Sequence, residues 1–191
     1  MLLLPDIIET VGRNKRAFSL PSKLYEQGII TLMDEIDDDL AYVIITQLLY
    51  LDSIDTQEPV KLYVNSPGGS VTAGLAIIDT IHAMERKVQT IGMGMCASMG
   101  AMILLSGTGE RKALKNTRIM LHSVSGGTRG TVHDQIIDLE ETKFLQDQLM
   151  QMIAKSSKNK MTLQDVKEFT QRDFYISSEK AVELGIIDSV I

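Results

Sequence analysis

Short apolar runs alternate with segments of helical periodicity through most of the chain. The apolar runs predict strands at 29–33, 60–65, 88–95, 111–115, 118–122 and 186–190. Segments with apolar residues three or four positions apart predict helices at 38–52, 71–84, 98–105 and 133–156. Because strands that alternate with helices are joined by crossovers, this order predicts an α/β fold with a mostly parallel sheet.

Individual residues mark the faces and ends of these helices. Thr162 followed by Asp165 is a capping-box pattern that opens a further helix, and Ser177 can cap a last helix that Gly185 closes. The faces predicted to be buried consist of Leu40, Val43, Ile44 and Leu48 in the helix at 38–52, and of Leu75, Ile78 and Ile81 in the helix at 71–84.

The helix at 133–156 is unusually long for a domain of 191 residues. Its candidate buried positions are Ile136, Ile137, Leu145, Leu149, Met152 and Ile153. A helix of this length projects from a compact domain, and a projecting amphipathic helix needs a partner to cover its apolar face. The pattern therefore indicates an oligomer.

The composition fits a single domain over residues 1–191. Apolar residues make up 44% of the chain, which is enough for a substantial core, and the 11 Met help to fill it because Trp is absent. The net charge of −6 argues against a nucleic-acid partner, which would need a basic surface. The short basic cluster of Arg13, Lys15 and Arg16 is typical of a solvated face.

The single cysteine, Cys96, excludes an intrachain disulfide and fits a reducing compartment. The apolar run at 1–4 is too short for a signal segment or a membrane span. We therefore expect a cytoplasmic protein with no membrane partner. One Cys and three His at unrelated spacings predict no metal site.

A predicted strand runs into a predicted helix at Ser98. The flanking Ala97, Gly100 and Ala101 are small, so the chain can turn sharply there. A serine on such a turn lies at a helix N-terminus, where free backbone N–H groups can stabilise an oxyanion. Taken alone, the same pattern is more often an ordinary serine N-cap. Cys96 is an alternative nucleophile, although a buried cysteine at a strand end is usually inert packing.

A serine nucleophile needs a base, and the chain offers His82, His122 and His133. His122 ends a predicted strand and opens a glycine-bearing loop, and sites in α/β sheets form at the carboxyl ends of strands. His82 lies inside an amphipathic helix and His133 at a helix start, which are ordinary positions. His122 is therefore the candidate base, and a structural core histidine is the alternative.

A carboxylate that orients the imidazole would complete the set. Asp173, between a predicted helix and a short strand, is the first candidate, and Asp79 and Asp188 are weaker ones. The alternative for Asp173 is an exposed turn residue beside Arg172.

Two glycines, Gly68 and Gly69, follow the strand at 60–65 and precede a helix. Paired glycines there permit positive φ and the close approach of a ligand. A phosphate cradle is an alternative, but no Lys-Ser/Thr follows as in a P-loop. An ordinary turn between strand and helix is another.

Taken together, these segments resemble the signatures of the ClpP peptidase family. The resemblance lies at 65–69 (the glycine turn), 96–101 (the serine), 118–122 (the histidine), 172–177 (the aspartate) and 181–188. It extends from about residue 7 to 191, and the four motifs occur in matching order and spacing.

The resemblance implies a crotonase-like α/β fold, with a head of repeated ββα units and a protruding handle helix at about 133–156. It implies two stacked seven-membered rings around a chamber in which unfolded proteins are cut to short peptides. It also implies a hexameric AAA+ unfoldase partner that uses ATP, no cofactor in this subunit, and an axial pore lined by residues 1–16.

Carried over residue by residue, the resemblance assigns three catalytic residues. Ser98 would be the nucleophile, His122 the base, and Asp173 the residue that fixes the His122 tautomer. The backbone N–H groups of Gly69 and Met99 would form the oxyanion hole.

Three positions depart from the family pattern. Ser123 and Val124 follow His122 where the family usually has Gln-Pro, which concerns the substrate groove. Gln171 replaces an acidic residue that takes part in contacts between rings. Phe18-Ser19 replaces a frequent Tyr-Asp and concerns the cap of the first helix.

Two other functions remain open at this point. One is a non-proteolytic enzyme of the same fold, such as an acyl-CoA hydratase-like protein, which would share the oxyanion hole but not need the three catalytic residues. The other is a catalytically weak paralogue that is active only in mixed rings with a second, different subunit.

Overall fold

A seven-stranded sheet forms the frame of the molecule. The structure is a computed structural model that describes residues 4–12 and 14–191. Its strands are β1 Asp6–Val11, β2 Asn14–Ser19, β3 Ile29–Leu32, β4 Val60–Ser66, β5 Val88–Ala97, β6 Arg111–Ala113, β7 Arg118–Leu121, β8 Phe174–Ser177 and β9 Ser189–Val190. Its helices are α1 Leu20–Glu26, α2 Asp38–Asp52, α3 Val71–Ala83, α4 Met99–Leu105, α5 Val132–Ser156, α6 Leu163–Phe169 and α7 Ser178–Glu183.

The sheet is mostly parallel, as the alternation of strands and helices predicts. Strands β3, β4, β5, β6 and β9 lie side by side and run parallel. Strand β5 is long enough to pair first with β6 and then with β7, also in parallel, while β8 pairs antiparallel with β7. The α/β fold class predicted from the sequence is confirmed.

The core lies where strands with one fully buried face meet the helices. In β4, alternate residues from Val60 to Ser66 are buried, which is the period-two pattern of a strand. Helix α2 packs on α3, and α3 packs on α4. Helix α4 is buried at every residue, so its small and apolar sequence is a packing requirement.

Some burial predictions differ from the structure. Ile44 and Leu48 are buried in α2, but Val43 is exposed and Leu40 only partly covered, because the buried face is completed by Ala41 and Leu51 instead. In α3, Ile78 and Ile81 are buried as predicted and Leu75 partly so.

The last strand is shorter than predicted. It covers only Ser189–Val190, because Ile186 and Ile187 turn back to hydrogen-bond the Ala181 carbonyl. Both isoleucines are buried nevertheless.

The N-terminal hairpin of β1 and β2 and helix α1 are features that the apolar pattern does not predict. The hairpin is antiparallel, with Ile7 opposite Phe18, and its side chains are mostly exposed. Ser19 caps α1 with its hydroxyl, as expected from the departure at that position. The predicted pore segment, 1–16, includes residues 1–3 and 13, which lie outside the described residues.

Helix α5 projects from the rest of the molecule, as its length predicts. Its buried residues, Leu149, Met150 and Ile153, all lie near its C-terminal end. Ile136 and Ile137, predicted as candidate buried positions, are 50% and 53% exposed. The apolar face of the N-terminal half is therefore uncovered in the single chain.

None of the helices in the described part of the chain is long and apolar enough to cross a membrane.

A charged clamp joins the far edge of the sheet to the end of α5. The Arg111 guanidinium donates to both carboxylate oxygens of Asp188, at 2.7 and 3.2 Å, and to the Ser156 carbonyl at 2.8 Å. The Arg111 backbone N–H and Lys158 Nζ also donate to Asp188, at 2.9 and 2.8 Å. Partial burial alone raises the Asp188 pKa, but these donors outweigh it and hold the pKa well below its usual 3.8.

We expect Asp188→Asn to lower the free energy of unfolding by roughly 2–3 kcal/mol, because it leaves the buried Arg111 without its counter-charge. Since the folded-state pKa is depressed, the stabilisation is present above the unfolded-state pKa, near 4, and is lost as the pH falls toward the folded-state pKa. Denaturant titrations at several pH values measure this.

Asp147→Asn is the matched control, because Asp147 is exposed and lies 3.7 Å from Lys167. Two outcomes would contradict the stabilising role of the clamp. One is that both substitutions lower the free energy of unfolding equally. The other is that the difference in this free energy between wild type and Asp188→Asn does not shrink below pH 4.

Candidate active site

Ser98 has an unusual backbone at the turn between β5 and α4. Its φ is 53° and its ψ is −124°, which few non-glycine residues adopt. Such a conformation costs on the order of 1–3 kcal/mol and persists only where the surrounding structure enforces it. The turn thus presents the serine side chain in a fixed direction.

The Ser98 hydroxyl does not cap the helix that it precedes. In the other described helices, the N-cap side chain accepts a hydrogen bond from a backbone N–H of the first turn. Ser98 makes no such bond. The ordinary N-cap interpretation of the sequence is therefore wrong for this serine, and its hydroxyl is free for another partner.

That partner is His122. Its Nε2 lies 2.8 Å from Ser98 Oγ. The fold places the two residues together because β5 and β7 are adjacent and parallel, with Ala97 paired to Met120, so both strands end at the same edge. The Ser98 N–H also donates to the Met120 carbonyl at 2.9 Å, which fixes the turn against β7.

Two glycines make the close packing around Ser98 possible. A Cβ on Gly68 would lie 2.6 Å from Ser98 Cβ, and one on Gly100 would lie 2.8 Å from the Ser66 carbonyl oxygen. Gly68 also has a φ of 98°, which other residues rarely adopt. The glycine turn at 66–69 is therefore packed directly on the serine turn.

Two residues without a partner for their backbone N–H in the described structure lie beside Ser98. Neither Gly69 nor Met99 uses its N–H in a hydrogen bond within the described residues. Met99 begins α4, where N–H groups are unsatisfied by helix geometry, and Gly69 is held by its bridge to Ile36. Both residues line the cavity together with Ser98 and His122.

Asp173 lies close to His122 in the fold but is not bonded to it. In the antiparallel pair of β7 and β8, Leu121 faces Phe174, so His122 and Asp173 are the next opposing positions beyond the ladder. Asp173 is exposed, and among the described residues no hydrogen bond or ion pair joins its carboxylate to the imidazole. The structure therefore brings two of the three predicted catalytic residues into contact.

Ser123 holds the chain immediately after His122. Its N–H and its hydroxyl both donate to the Thr170 carbonyl, each at 2.9 Å. These bonds tie the residue after His122 to the segment that carries Asp173. The sequence pattern gave no signal for this contact, because Thr170 is remote along the chain.

A cavity of about 70 Å³ lies beside Ser98. Apolar side chains from α3, α4 and α5 form most of its wall, and the segment after His122 closes one side. The lining includes Val71, Met102, Leu149, Met150 and Ile153, with the polar Gln146 among them.

The remaining sequence candidates lie elsewhere. His82 bonds the Ser106 carbonyl at 3.1 Å, His133 is exposed on α5, and Asp188 belongs to the clamp with Arg111. Within the described residues, no group of three or more His, Cys, Asp or Glu side chains is placed to hold a metal ion.

Cys96 is buried and does not line the cavity beside Ser98. Its thiol donates to the Val64 carbonyl at 3.1 Å. Burial raises the pKa of this thiol to about 12. Because the thiolate is the nucleophilic form, Cys96 is inert at neutral pH.

A comparison with protein-family models finds a match to a family described as Clp protease, over residues 12–191. The matched region contains all of the candidate site residues, from Gly69 to Asp173. It also contains the projecting helix α5.

We expect Cys96 to react with iodoacetamide at pH 8 at least a thousandfold more slowly in the folded protein than in denaturant. The reason is that a thiol of pKa about 12 is almost entirely protonated at that pH. Mass spectrometry of the intact chain measures the modification, and the denatured chain, which has one cysteine, is its own control. Equal rates in both states would restore Cys96 as a candidate nucleophile.

Proposed function

The chain belongs to the Clp protease family, and from this membership and the site geometry we propose that it is a serine endopeptidase with Ser98 as nucleophile. The family as a whole consists of oligomeric proteases that work with Clp ATPases. Within the proposal, His122 is the general base and Asp173 the residue that orients it.

The hydrogen bond between Ser98 Oγ and His122 Nε2 carries the proposal. A nucleophilic serine needs a base within about 2.6–3.2 Å, and the observed distance is 2.8 Å. Because the Ser98 hydroxyl makes no capping bond, its hydrogen-bond partner is His122. A serine that only capped α4 would not need the strained φ of 53° that Ser98 adopts.

In the acylation step, Ser98 Oγ attacks the scissile carbonyl while His122 Nε2 takes the hydroxyl proton. The imidazolium then donates that proton to the leaving amine, and the peptide bond breaks. A water molecule, activated by the same imidazole, attacks the acyl-enzyme and regenerates Ser98. This sequence needs no cofactor in the subunit.

The N–H groups of Gly69 and Met99 are suited to stabilise the oxyanion of each tetrahedral intermediate. Both are free of other acceptors in the described structure, and both line the cavity at Ser98. Losing one such donor typically costs about 3 kcal/mol of transition-state stabilisation.

Asp173 has its full role, in this proposal, only after assembly. His122 and Asp173 are the opposing positions just beyond the last pair of the ladder, Leu121 and Phe174, and in the proposal assembly shifts the segment after Thr170 so that they bond. The assembly we propose is two stacked heptamers, in which the uncovered apolar face of α5 is buried between rings. That face includes Val132, Ile136, Ile137, Leu139 and Phe144.

The proposal extends to the partners of the assembled protein. An AAA+ unfoldase would use ATP to deliver unfolded protein substrates through an axial pore that residues 1–16 line. We place the complex in the cytoplasm.

A second candidate function is supported by the separation of Asp173 from His122. It is a catalytically weak subunit that becomes active only in rings with a second type of subunit. Ser123, Val124 and Gln171, where the chain departs from the pattern it resembles, lie in the segments that carry His122 and Asp173.

We expect a fluorophosphonate probe to label the assembled wild-type protein at Ser98 and Ser98→Ala to abolish the label. Peptide cleavage should fall at least about 10⁴-fold, because the nucleophile is lost. Ser106→Ala, at the other end of α4, is the matched control and should keep both activities. Labelling of Ser98→Ala at the wild-type rate would refute the assignment.

We expect Asp173→Asn to slow peptide cleavage by the assembled protein about 10³- to 10⁴-fold, because the asparagine amide cannot stabilise the imidazolium. In chains diluted below assembly the difference should be small, since Asp173 does not bond His122 there. Cleavage rate against chain concentration, with native mass spectrometry for the oligomeric state, measures this, and Asp55→Asn is an exposed control.

Active homo-oligomers would exclude the mixed-ring function, whereas inactive seven-membered rings that gain activity with a second subunit type would establish it. An effect of Asp173→Asn that is equal in dilute and assembled chains would contradict the proposed role of assembly.

A further inference from the structure

The wall of the cavity formed by the segment after His122 has little structure of its own. Residues 122–131 form neither helix nor strand, and the side chains from Ser125 onward are exposed. The other walls are helices packed into the core. The shape of the cavity therefore depends on the few bonds that hold this segment.

Two sets of bonds hold the part of this segment that follows His122 and lines the cavity, and they hold different residues. Ser123 is fixed by its two bonds to the Thr170 carbonyl. Val124 is fixed by one bond, in which its N–H donates to Gln146 Oε1 at 3.2 Å. Val124 also packs partly against the core, so its position sets the cavity wall.

Gln146 is rigidly placed by helix α5. It lies three, four and seven residues before Leu149, Met150 and Ile153, so it shares the face of the helix that packs onto the head. It is half-buried and lines the cavity itself. Its side chain thus links α5 by a hydrogen bond to the cavity-lining residues after His122, whereas Gln135 bonds the Gly130 carbonyl at the far end of the segment.

We propose that Gln146 is a positioning residue that sets substrate selectivity by holding Val124 against the cavity. The proposal rests on the proposed peptidase function and adds that the side chain before the scissile bond occupies this cavity, because Ser98 and His122 line it. Because Ser123 holds the chain next to His122 independently, Gln146 acts on the cavity wall and leaves the Ser98–His122 pair unaffected.

Gln146→Met tests this, because methionine has a similar length but offers Val124 no comparable acceptor. In the assembled protein, kcat/KM for a peptide with Leu before the scissile bond should fall about 5- to 10-fold, the size expected for one neutral hydrogen bond. The same peptide with Ala should lose less than twofold, and the labelling rate of Ser98 by a fluorophosphonate with a short alkyl group should also change less than twofold.

Two variants make the test specific. Gln148→Met, at an exposed position on the same helix, is the matched control and should behave as wild type. Val124→Pro removes the N–H that Gln146 accepts, and Val124 has no positive φ that would oppose proline. In the Val124→Pro background, Gln146→Met should have no further effect on the Leu/Ala ratio.

Hydrogen exchange of the Val124 amide gives a readout that does not depend on activity. Its protection should fall in Gln146→Met and persist in Gln148→Met. An unchanged amide, an unchanged Leu/Ala ratio, or the same loss of selectivity in the Val124→Pro background would overturn the inference.

Failure of the proposed function has a different signature. If the wild-type protein neither labels at Ser98 nor cleaves peptides, the peptidase assignment falls and the inference falls with it. If the wild type is active and Gln146→Met keeps its selectivity, only the inference falls.

Discussion

The strained turn at Ser98 is the constraint on which the rest of the site depends. A backbone with φ of 53° at a serine is unfavourable by itself, so the surrounding structure must hold it. Three contacts do so: the N–H bond to the Met120 carbonyl, the packing of Gly68 on the serine, and the complete burial of α4. The burial of α4, which the fold needs in any case, offsets the strain at Ser98. The Ser98 hydroxyl itself makes no capping bond and so has no role in holding the helix.

This constraint also explains which parts of the site could be predicted from the sequence. Ser98 and His122 each follow a strong apolar run, and the ends of adjacent parallel strands meet at one edge of a sheet, so their proximity follows from the alternation of strands and helices. Asp173 lies near His122 because of the register between β7 and β8. That register does not determine whether the two side chains form a hydrogen bond. A hydrogen bond depends on shifts of about an ångström in an exposed segment, which no pattern of apolar residues encodes.

Other features could not be predicted, for physical reasons of the same kind. Val43 lies beside the buried face of α2, which consists of Ala41, Ile44, Leu48 and Leu51, and which flanking residues are covered depends on how the helix is rotated against α3. The β1–β2 hairpin is mostly exposed and so lacks the apolar alternation of a packed strand. Helix α1 did carry a signal, since Ser19 followed by Pro21 is a common helix start. For α5, length and periodicity predicted a projecting helix whose apolar face needs a partner, but not that burial in the single chain is confined to its C-terminal end.

Helix α5 connects two features that look separate in the sequence. Its N-terminal half carries the uncovered apolar face, and its C-terminal half carries Gln146, Leu149 and Met150 in the wall of the cavity. Because α5 is one continuous helix, a partner seated on its N-terminal half would act on the same element that carries Gln146. The bond from the Val124 N–H joins Gln146 to the cavity wall, while the bonds of Ser123 to the Thr170 carbonyl hold the residue next to His122 independently. Helix α5 thus links the surface suited to assembly with the one wall of the cavity that has no regular secondary structure, the segment after His122.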